Sequence, residues 1–511
     1  MTSHTLALQT MQALLLHPAD DVAVALMPLA AGRMIRIGER ALTLRDTLDA
    51  GHKIALTALP AGAPVRRYGQ IIGFATRSIE VGDHVHSHNL AVGNLTLDYA
   101  IGSAPAAILP DPTPRTFMGY RRARGRAGTR NVIAVIGTVN CSAHTLRAIA
   151  QRARAELLPH YPGVTDIIGL AHKAGCGTRD GSPELDTLQR TLLGFARNPN
   201  VAACLFVGLG CEVNQYMSMI RHVRDGEPPP YIGIQDEGGV QATIAAGVRA
   251  VAAMLPAASA AVREPLPVSQ LAVALQCGGS DGFSGITANP ALGYAVDMLV
   301  AHGATAVLSE TPEIYGAEHL LTRRAVSQAV GEQLIARIRW WEAYTERNGF
   351  VIDNNPAPGN KAGGLTTIFE KSLGAVAKAG TAPLSAVYEY ADPIDAHGLV
   401  FMDTPGYDPV SATGQVAGGC NLVAFTTGRG SCFGFTPAPS IKISTTSGLA
   451  ARMPDDIDID AGPVLAGATV AQIGEQIFER LIAVASGAQS RSEAQGIGEE
   501  EFNPWILGAT M

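Results

Sequence analysis

The 511-residue chain has few charged and few aromatic residues: 16% are Asp, Glu, Lys or Arg, and 5% are Phe, Trp or Tyr. Acidic residues outnumber basic ones by 45 to 38, which gives a net charge of −7. This balance excludes nucleic-acid binding through bulk positive charge, because phosphate contacts need clustered lysine and arginine. The 47% apolar content excludes a mainly disordered chain, since it supplies a sizeable core.

Long uninterrupted apolar runs are also missing. The best candidate, residues 240–262, is interrupted by Gln241, Arg249 and Pro256, whereas a membrane-spanning helix needs about 20 predominantly apolar residues. The first residues, Met-Thr-Ser-His-Thr, do not lead from a basic cluster into an apolar core as a secretion signal does. We therefore expect a cytoplasmic protein that has no membrane partner.

Cysteine occurs seven times and never in a CxxC pair, so neither a disulfide framework nor a structural zinc ribbon is expected. The patterns GxGxxG, GxxxxGK[ST] and GxSxG are absent as well, which argues against dinucleotide, nucleoside-triphosphate and serine-hydrolase sites. Glycine, in contrast, is abundant, with 56 residues. Tight turns and close approaches of the backbone to a ligand should follow.

The pattern of apolar residues divides the chain into three parts. Short β-type stretches between Gly- and Pro-containing turns predict a small β-rich domain over residues 1–105. A proline-punctuated linker is expected over residues 106–115, because X-Pro dipeptides favour extended chain. Beyond it, β-branched runs alternate with helix-period stretches, which is typical of largely parallel sheets covered by helices. We expect two such α/β units, over residues 116–265 and 268–511.

Glycine together with a reactive or polar side chain follows many of the predicted strands. Ligands bind just beyond the carboxyl ends of parallel strands, and five of the seven cysteines lie there. A single cysteine is most often an inert buried side chain, but the recurrence in several loops predicts a site. The loops are residues 137–141, 172–177, 208–212, 276–282, 309–313 and 427–432.

One of these loops favours an anionic ligand, and a further loop offers a candidate base. Arg429 lies between Gly428 and Gly430, where backbone amides and a guanidinium can hold a carboxylate. An acidic small-molecule substrate is implied, although an ordinary turn with a solvated arginine is the alternative. A second loop, which contains two prolines, presents Asn360 and Lys361. Lysine can act as a general base if its pKa is lowered, whereas a solvated lysine is the commoner fate.

Three histidines are clustered in the β-rich domain. His84, His86 and His88 alternate with other residues, so on a β-strand they would share one face. Two adjacent imidazoles can bind one divalent metal ion, while the third is expected to lie out of reach. The alternative is a hydrogen-bonded polar strand at the surface.

These residues together resemble the altronate dehydratase and galactarate dehydratase family of sugar-acid dehydratases. The N-terminal domain looks like the SAF-type β domain of that family. The resemblance implies removal of water from a hexonate or hexarate to give a 2-keto-3-deoxy acid, assisted by a divalent metal such as Fe(II) or Mn(II). It covers essentially the whole chain and includes residues 119–121, 128–131, 208–212, 277–290, 310–318, 355–364 and 427–430.

Each step of the implied reaction can be assigned to a set of candidate residues. A base removes the proton beside the carboxylate, a general acid protonates the leaving hydroxyl, and a cation stabilises the enediolate. The candidates for proton transfer are His172, Lys361, Glu310 and Glu313. The candidates for substrate binding are Arg429, Gly428, Gly430, Ser280, Asp281, Asn360 and Glu212. The candidates for metal binding are His84, His86, Cys176, Cys211 and Cys277. The sequence does not decide which residue is the base.

One stretch departs from the family pattern. Gly430 is followed by Ser-Cys-Phe-Gly, where family members more often have Thr-Pro-Tyr-Gly, so the choice among altronate, galactarate and a related acid stays open. A related lyase class expels sulfite from sulfolactate, but it typically carries the β domain on a separate chain, and the fusion here favours the dehydratase. A homo-oligomer is compatible with the sequence.

Two further alternatives come from other classes. One is a non-catalytic sugar-acid binding protein. The other is an iron–sulfur hydro-lyase, since cysteines from several loops can hold a cluster without a CxxC motif. The cysteines concerned are Cys141, Cys176, Cys211 and Cys277.

Overall fold

The computed structural model describes residues 11–104, 113–123, 125–222, 228–508 and 510. The expected fold class is confirmed: an antiparallel β-rich N-terminal region precedes two parallel sheets covered by helices. Residues 106–112 of the predicted linker lie outside the described residues.

The β-rich domain contains nine short strands. They form small antiparallel sheets in the orders β1-β2-β5-β8, β3-β4 and β6-β7-β9. Tyr68 and Gly69 join β6 to β7 as a two-residue turn, and both have positive φ (60° and 69°), as a type I′ hairpin turn requires. The strands are β1 Ala13–Leu14, β2 Val22–Ala25, β3 Met34–Ile37, β4 Arg40–Thr43, β5 Lys53–Ala55, β6 Pro64–Arg67, β7 Gln70–Ala75, β8 His84–Val85 and β9 Leu90–Ala91.

The central unit is built on a four-stranded parallel sheet in the order β12-β11-β13-β14. Helix α2 begins as its sequence dictates, because the Ser182 side chain accepts a hydrogen bond from the Leu185 amide and Pro183 occupies the first turn. The strands of this unit are β10 Thr116–Tyr120, β11 Val132–Gly137, β12 Asp166–Leu170, β13 Val201–Gly208, β14 Tyr231–Gly233 and β15 Arg263–Pro267. The helices are α1 Ala143–Glu156, α2 Pro183–Ala196, α3 Tyr216–Met219 and α4 Val240–Ser259.

The Ala- and Pro-rich stretch between the two predicted units is more ordered than the sequence indicates. Pro256 lies inside α4, and β15 pairs antiparallel with β10. Among the described residues, α4 is the one helix long and apolar enough to cross a membrane by length and composition alone. Val251 and Leu255 of this helix are fully buried in the core beside the four-stranded sheet, as in a helix of a folded domain.

The C-terminal unit contains a seven-stranded parallel sheet in the order β18-β19-β17-β16-β20-β21-β22. The apolar runs at residues 271–275, 305–308, 384–388, 399–402 and 422–425 predict five strands of this unit, and all five are present, whereas β21 and β22 were not predicted. The strands are β16 Ala272–Cys277, β17 Thr305–Leu308, β18 Leu384–Tyr388, β19 Gly398–Met402, β20 Leu422–Thr427, β21 Ser440–Ser444 and β22 Ile459–Asp460. The helices are α5 Ala288–Ala301, α6 His319–Thr322, α7 Gln328–Arg347, α8 Pro358–Ala362, α9 Ile368–Val376, α10 Asp408–Ala417, α11 Ser447–Arg452, α12 Val470–Ala485 and α13 Arg491–Ala494.

The three parts share their apolar cores. Phe206 of the four-stranded sheet and Phe425 of the seven-stranded sheet belong to one buried cluster. Val65 of the β-rich domain lies in another cluster with Leu373 and Val376 of α9. Because each interface buries apolar side chains from both partners, the relative positions of the parts are fixed by packing.

Candidate active site

Three loops meet at the carboxyl edge of the seven-stranded sheet. The loops after the neighbouring strands β16 and β20 are joined by a hydrogen bond from the Arg429 amide to the Gly279 carbonyl (2.8 Å). The loop before α9 joins them where the Gly282 amide donates to the Gly363 carbonyl (2.7 Å). We call this set the three-loop wall; it consists of residues 277–282, 355–364 and 427–430.

Arg429 is the side chain of the wall most suited to an anionic ligand. It is exposed, and its aliphatic part lies beside Gly363, where an added Cβ would be 3.3 Å from Arg429 Cδ. Gly430 has φ 101°, a left-handed conformation that favours glycine. Gly428 has no room for a side chain, because a Cβ there would lie 2.2 Å from Asp281 Cγ. These glycines thus allow the loops around Arg429 to approach each other closely.

The other predicted substrate-binding residues of the wall hold its loops together. Asp281 is buried and accepts hydrogen bonds from the Phe283 amide (3.0 Å) and from the Thr445 hydroxyl (3.0 Å), and burial raises the pKa of this carboxyl. Asn360 donates to the Ser280 carbonyl (2.8 Å). The Ser280 hydroxyl lies 2.8 Å from Cys277 Sγ. These polar atoms already have protein partners, so their contribution is to the shape of the wall.

Glu310 occupies a strained position directly after β17. Its backbone is left-handed, with φ 69°, which is uncommon for a residue other than glycine and is often found at functional sites. Its side chain is 1% exposed, and Lys378 Nζ lies 3.5 Å from its carboxylate. Burial, and then the nearby charge of Glu313, raise the pKa of Glu310 well above its usual value. Both effects favour the neutral form of this carboxyl, while Lys378 opposes them.

Lys371 of α9 lies between Glu313 and Asn355. Its ammonium donates to Glu313 Oε1 and to Asn355 Oδ1 (2.8 Å), and Asn355 Nδ2 also donates to Glu313 Oε1 (2.6 Å). Burial lowers the pKa of Lys371, but the attraction of Glu313 outweighs it and the net shift is upward. Lys371 is therefore a buried cation at neutral pH.

Asp408, at the start of α10, completes the charged cluster. An added Cβ at Gly278 would lie 2.4 Å from Asp408 Oδ2, which places this carboxyl against the loop after β16. Burial, and then the charge of Glu313, raise the pKa of Asp408 from 3.8 to about 6. A carboxyl with such a pKa exchanges protons readily near neutral pH. We call Glu310, Glu313, Lys371, Lys378 and Asp408 the acid–base cluster.

A cavity of about 470 Å³ is lined by two loops of the three-loop wall and by Glu313, Lys371 and Asp408 of the acid–base cluster. This volume is typical of small-molecule sites. Two larger clefts, of about 730 and 660 Å³, include the side chain of Arg190, which is paired with Asp392. We place the site at the smaller cavity because the unusual charges line it. The lining includes Cys277, Gly278, Gly279, Glu313, Asn355, Asn360, Lys371 and Asp408.

Lys371 and Asp408 were not predicted from the sequence, although a signal exists for each. Lys371 follows Glu370 in a helix whose other residues are mostly apolar, and two charges in such a helix are rarely both solvated. Asp408 begins α10, directly beyond the short loop that follows β19, and ligands bind beyond the carboxyl ends of parallel strands.

The β-rich domain is tied to the site by a buried ion cluster. Lys53 donates to Glu370 Oε2 (3.0 Å) and to the Gly364 carbonyl (2.6 Å). Arg67 donates to Glu370 Oε1 and to the Gly282 carbonyl (2.7 Å). The Lys53 and Glu370 side chains are 0% exposed and that of Arg67 is 1% exposed. Two cations of the β-rich domain therefore bind two loops of the wall directly, and both also pair with one carboxylate of α9.

The prediction that all three histidines lie on one strand is wrong. Only His84 lies in β8, and the chain turns after Val85. His84 is nonetheless close to both other histidines, with ring centroids 5.2 Å from His86 and 5.4 Å from His88, so the third imidazole does not lie out of reach as expected. A further histidine, His52, joins them, and its Nδ1 lies 2.9 Å from His84 Nε2. Burial lowers the pKa of His84 to about 3, so this imidazole is neutral.

The histidines face the three-loop wall. His86 Nε2 lies 2.9 Å from the Lys361 carbonyl, and His52 Nε2 lies 3.3 Å from the Ala362 carbonyl. Lys361 thus contacts the β-rich domain through its backbone. Among the described residues, no three His, Cys, Asp or Glu side chains are arranged to hold one metal ion. The neutral imidazoles fit a site in which protein supplies two nitrogens and other ligands complete the shell.

The remaining predicted residues lie in the central unit. His172 is buried, its Nε2 lies 2.9 Å from the Gly137 carbonyl, and its Nδ1 accepts from the Ala174 amide (3.1 Å). Burial lowers its pKa to about 4, and both ring nitrogens are used by the backbone. Glu212 accepts from the Thr138 hydroxyl (2.6 Å) and closes its own loop. The structure therefore does not bring these two residues to the acid–base cluster.

The cysteines predicted as metal ligands are divided between the two sheets. All seven cysteines are free. Cys176 and Cys211 are exposed in loops of the four-stranded sheet, whereas Cys277 is buried at the end of β16. A single ion held by all three is excluded by this division.

The fold and site define a class of protein. A cavity lined by buried acid–base groups, in a wall that also carries an arginine between glycines, is suited to proton transfer on an anionic substrate, and together with the relatives reported below it defines a hydro-lyase. Family models match the chain over residues 11–93 (altronate/galactarate dehydratase SAF domain), 119–259 (D-galactarate dehydratase/altronate hydrolase, second domain) and 268–510 (D-galactarate/altronate dehydratase, C-terminal). The chain belongs to the altronate/galactarate dehydratase family.

Relatives of this family resemble the chain over nearly its whole length. Altronate dehydratase of Escherichia coli K12 is 36% identical over 493 residues, covering 96% of this chain and 98% of that protein. Altronate dehydratase of Bacillus subtilis 168 is 35% identical over 477 residues, covering 92% and 94%. Galactarate dehydratase (L-threo-forming) of E. coli K12 is 36% identical over 506 residues, covering 96% of each chain.

Proposed function

We propose that the protein removes water from a hexonate or hexarate, such as D-altronate or galactarate, and forms a 2-keto-3-deoxy sugar acid. The observation that carries this proposal is the acid–base cluster, in which Lys371 and Asp408 line one cavity with opposite proton-transfer properties. The activities named for the relatives support the same substrate class.

Substrate binding in this proposal begins with Arg429. Its guanidinium holds the substrate carboxylate through two hydrogen bonds, which a planar fork can form and an ammonium cannot. The backbone amide of Gly279, a residue that lines the cavity, is assigned to the same anion. Binding next to these groups brings the carbon beside the carboxylate to the acid–base cluster.

Proton transfer is assigned to the two lining residues. Asp408, ionised above about pH 6, accepts the proton from the carbon beside the carboxylate. Lys371, protonated at neutral pH, donates to the departing β-hydroxyl, which leaves as water. The resulting enol becomes the ketone. The raised pKa of Glu310 limits the negative charge that this carboxyl places beside the enediolate.

A divalent metal ion, Fe(II) or Mn(II), belongs to the proposal as well. His84 and His86 would hold it, because their rings lie close together, His86 contacts the three-loop wall and His84 has a neutral imidazole. When bound, such an ion polarises a substrate carboxylate or hydroxyl oxygen as a Lewis acid. His52 lies close enough to His84 to serve the same ion.

The experiment is a panel of sugar acids assayed for 2-keto-3-deoxy product in the presence of Fe(II), Mn(II) or Mg(II). Altronate and galactarate are the expected substrates, and sulfolactate tests the sulfite-releasing alternative. Product from a hexonate or hexarate supports the proposal. Tight binding of these acids without product would identify a binding protein, and sulfite release alone would identify the other lyase.

Metal binding is tested separately from turnover. His84→Ala and His86→Ala should each lower the metal content of the purified protein, whereas His144→Ala, which changes an exposed histidine of the central unit, serves as the control. Unchanged metal content in both variants would remove the histidines from the proposal, and full activity of metal-free protein would remove the metal.

A further inference from the structure

The four-stranded sheet carries three cysteines that the proposed dehydration does not use. Cys141 follows β11, Cys176 follows β12 and Cys211 follows β13, and these strands are neighbours in the order β12-β11-β13. All three cysteines are exposed, although cysteine is among the residue types most often buried. Three exposed thiols at one edge of a sheet therefore call for an explanation other than core packing.

Hydrogen bonds join the three loops next to the cysteines. The Asn140 amide donates to the Ala174 carbonyl (3.0 Å), and the Asn214 amide donates to the Gly175 carbonyl (3.0 Å). Asn214 Nδ2 also donates to the Thr138 carbonyl (2.9 Å). These partners lie within three residues of the cysteine in each loop, so the three thiols stand on one connected rim.

Gly175 allows this close approach of the loops. It has φ 103°, and an added Cβ would lie 2.5 Å from the Thr138 carbonyl oxygen. A side chain at this position would therefore push the loop that carries Cys176 away from the loop that carries Cys141. The rim depends on glycine at the place where two of the thiol-bearing loops touch.

The surroundings of Cys211 suit a thiolate ligand. Gln235 Nε2 donates to Cys211 Sγ at 3.4 Å, and hydrogen bonds to sulfur are one way in which proteins tune metal–thiolate groups. Glu212, the nearest carboxylate in sequence, is held by the Thr138 hydroxyl and by the Gly210 amide (2.7 Å). The oxygen atoms of that side chain are thus engaged within the loop, and the sulfurs remain as the available donors.

We propose that Cys141, Cys176 and Cys211 bind an iron–sulfur cluster at this rim, apart from the candidate active site. Among the described residues, no three such side chains converge on a point where one ion would bind. A polynuclear cluster does not need this convergence, because each cysteine binds a different iron atom. Three thiolates leave one iron of a four-iron cluster without a protein ligand, open to water or to an oxygen atom of a small anion.

The proposal differs from a cluster held by four cysteines of this chain. Cys277 ends a strand of the other sheet, is buried, and has Ser280 Oγ at 2.8 Å. It is therefore not available to the rim. The proposed cluster is also independent of the dehydratase proposal and of the histidines, since none of those residues lies in the three loops.

The test uses the full-length protein, purified anaerobically and reconstituted with ferrous iron and sulfide. We expect iron and acid-labile sulfide in comparable amounts, broad visible absorption, and a paramagnetic signal after reduction. Cys141→Ser, Cys176→Ser and Cys211→Ser should each lose most of the bound sulfide. Cys432→Ser, which changes an exposed cysteine outside the rim, and Cys277→Ser should retain it, and circular dichroism checks that each variant is folded.

Three results would overturn the proposal. The first is protein without bound sulfide after reconstitution, and the second is zinc bound in place of iron with no visible absorption. The third is sulfide retained by the triple serine variant. Because sulfide is measured, iron bound only by His84 and His86 is distinguished from a cluster, and the His84→Ala variant should keep its full sulfide content.

Discussion

The carboxyl edges of the two parallel sheets use the same architecture in different ways. At the seven-stranded sheet, carboxylates and lysines are buried beside a cavity, and a separate domain covers the loops. At the four-stranded sheet, the polar side chains His172 and Glu212 serve their own loops and the thiols face solvent. The comparison teaches that the position beyond a parallel strand permits a site, while burial and neighbouring charge determine its chemistry.

The covering domain accounts for part of this difference. Lys53 and Arg67 reach from the β-rich domain to the loops of the seven-stranded edge. In the central unit, by contrast, the loops are joined by hydrogen bonds among themselves, such as that from Asn214 to the Thr138 carbonyl. Proton transfer is therefore expected to be sensitive to changes at the first edge and insensitive to changes at the second.

The largest expected effect is that of Asp408→Asn. An amide cannot accept the substrate proton, so turnover should fall by about 10²- to 10⁴-fold, measured as the rate of 2-keto-3-deoxy acid formation. Asp455→Asn, which changes an exposed aspartate, is the matched control and should keep the original rate. Full activity of the Asp408 variant would move the base to another member of the acid–base cluster.

The pH dependence of wild-type activity also tests the assignment of Asp408 as the base. Asp408 must be ionised to act as the base, and its raised pKa of about 6 means that activity falls as the pH drops through about 6. An unshifted aspartate would retain its charge down to about pH 4. An acidic limb near pH 4 in the dependence of kcat/KM would contradict this assignment.

The second effect concerns stability. Glu370→Gln leaves Lys53 and Arg67 as buried charges without a carboxylate, and breaking such a cluster costs about 3–5 kcal/mol of unfolding free energy. The exposed pair of Arg115 and Glu479 provides the control, because Glu479→Gln should cost about 1 kcal/mol or less. Urea unfolding measures both. Equal losses in the two variants would show that the buried cluster contributes no more than a surface pair.

The same carboxylate should make stability depend on pH. Burial raises the pKa of Glu370, but Lys53 and Arg67 outweigh it and hold the pKa at about 2, below the ordinary 4.5. Because the folded state holds the ionised form, the stabilisation is complete above about pH 4.5 and is lost as the pH falls towards about 2. Glu370→Gln should flatten this part of the stability curve.

A smaller kinetic effect is expected for Arg429→Lys. The ammonium keeps the charge but cannot form two parallel hydrogen bonds, and a loss of about 1.5–3 kcal/mol corresponds to a decrease in kcat/KM of tenfold or more. The Arg452→Lys variant, which changes an exposed arginine at the end of α11, is the control. Unchanged kinetics for Arg429→Lys would make Arg429 an ordinary solvated turn residue.

The smallest effect on turnover is expected at the other edge. His172→Gln removes a ring whose two nitrogens pair with backbone atoms, so unfolding free energy should fall by about 1–3 kcal/mol while turnover of the folded protein stays unchanged. A large loss of turnover in a fully folded His172→Gln variant would place His172 in the reaction. The carboxyl edges of the two sheets would then not differ in their contribution to proton transfer.

The sequence predicted the architecture well because alternation of apolar runs is a local property. Strands such as Thr305–Leu308 and Leu384–Tyr388 begin and end where expected. The strand Ser440–Ser444 escaped prediction because its central residue is Lys442, which is fully buried. A buried lysine in a strand resembles a solvent-facing one when only its neighbours in sequence are considered.

The sequence by itself determined the fold class, the family and the loops in which polar groups follow strands, since these depend on residue order and short spacing. Only the tertiary structure decided which loops share a site. Glu313 and Lys371 are 58 residues apart, and Lys53 and Glu370 are 317 residues apart, so nothing local indicates their pairing. Shifts in pKa arise from burial and from charges brought close by folding, which is why Asp408 is an ordinary aspartate in the sequence and a carboxyl with a raised pKa in the structure.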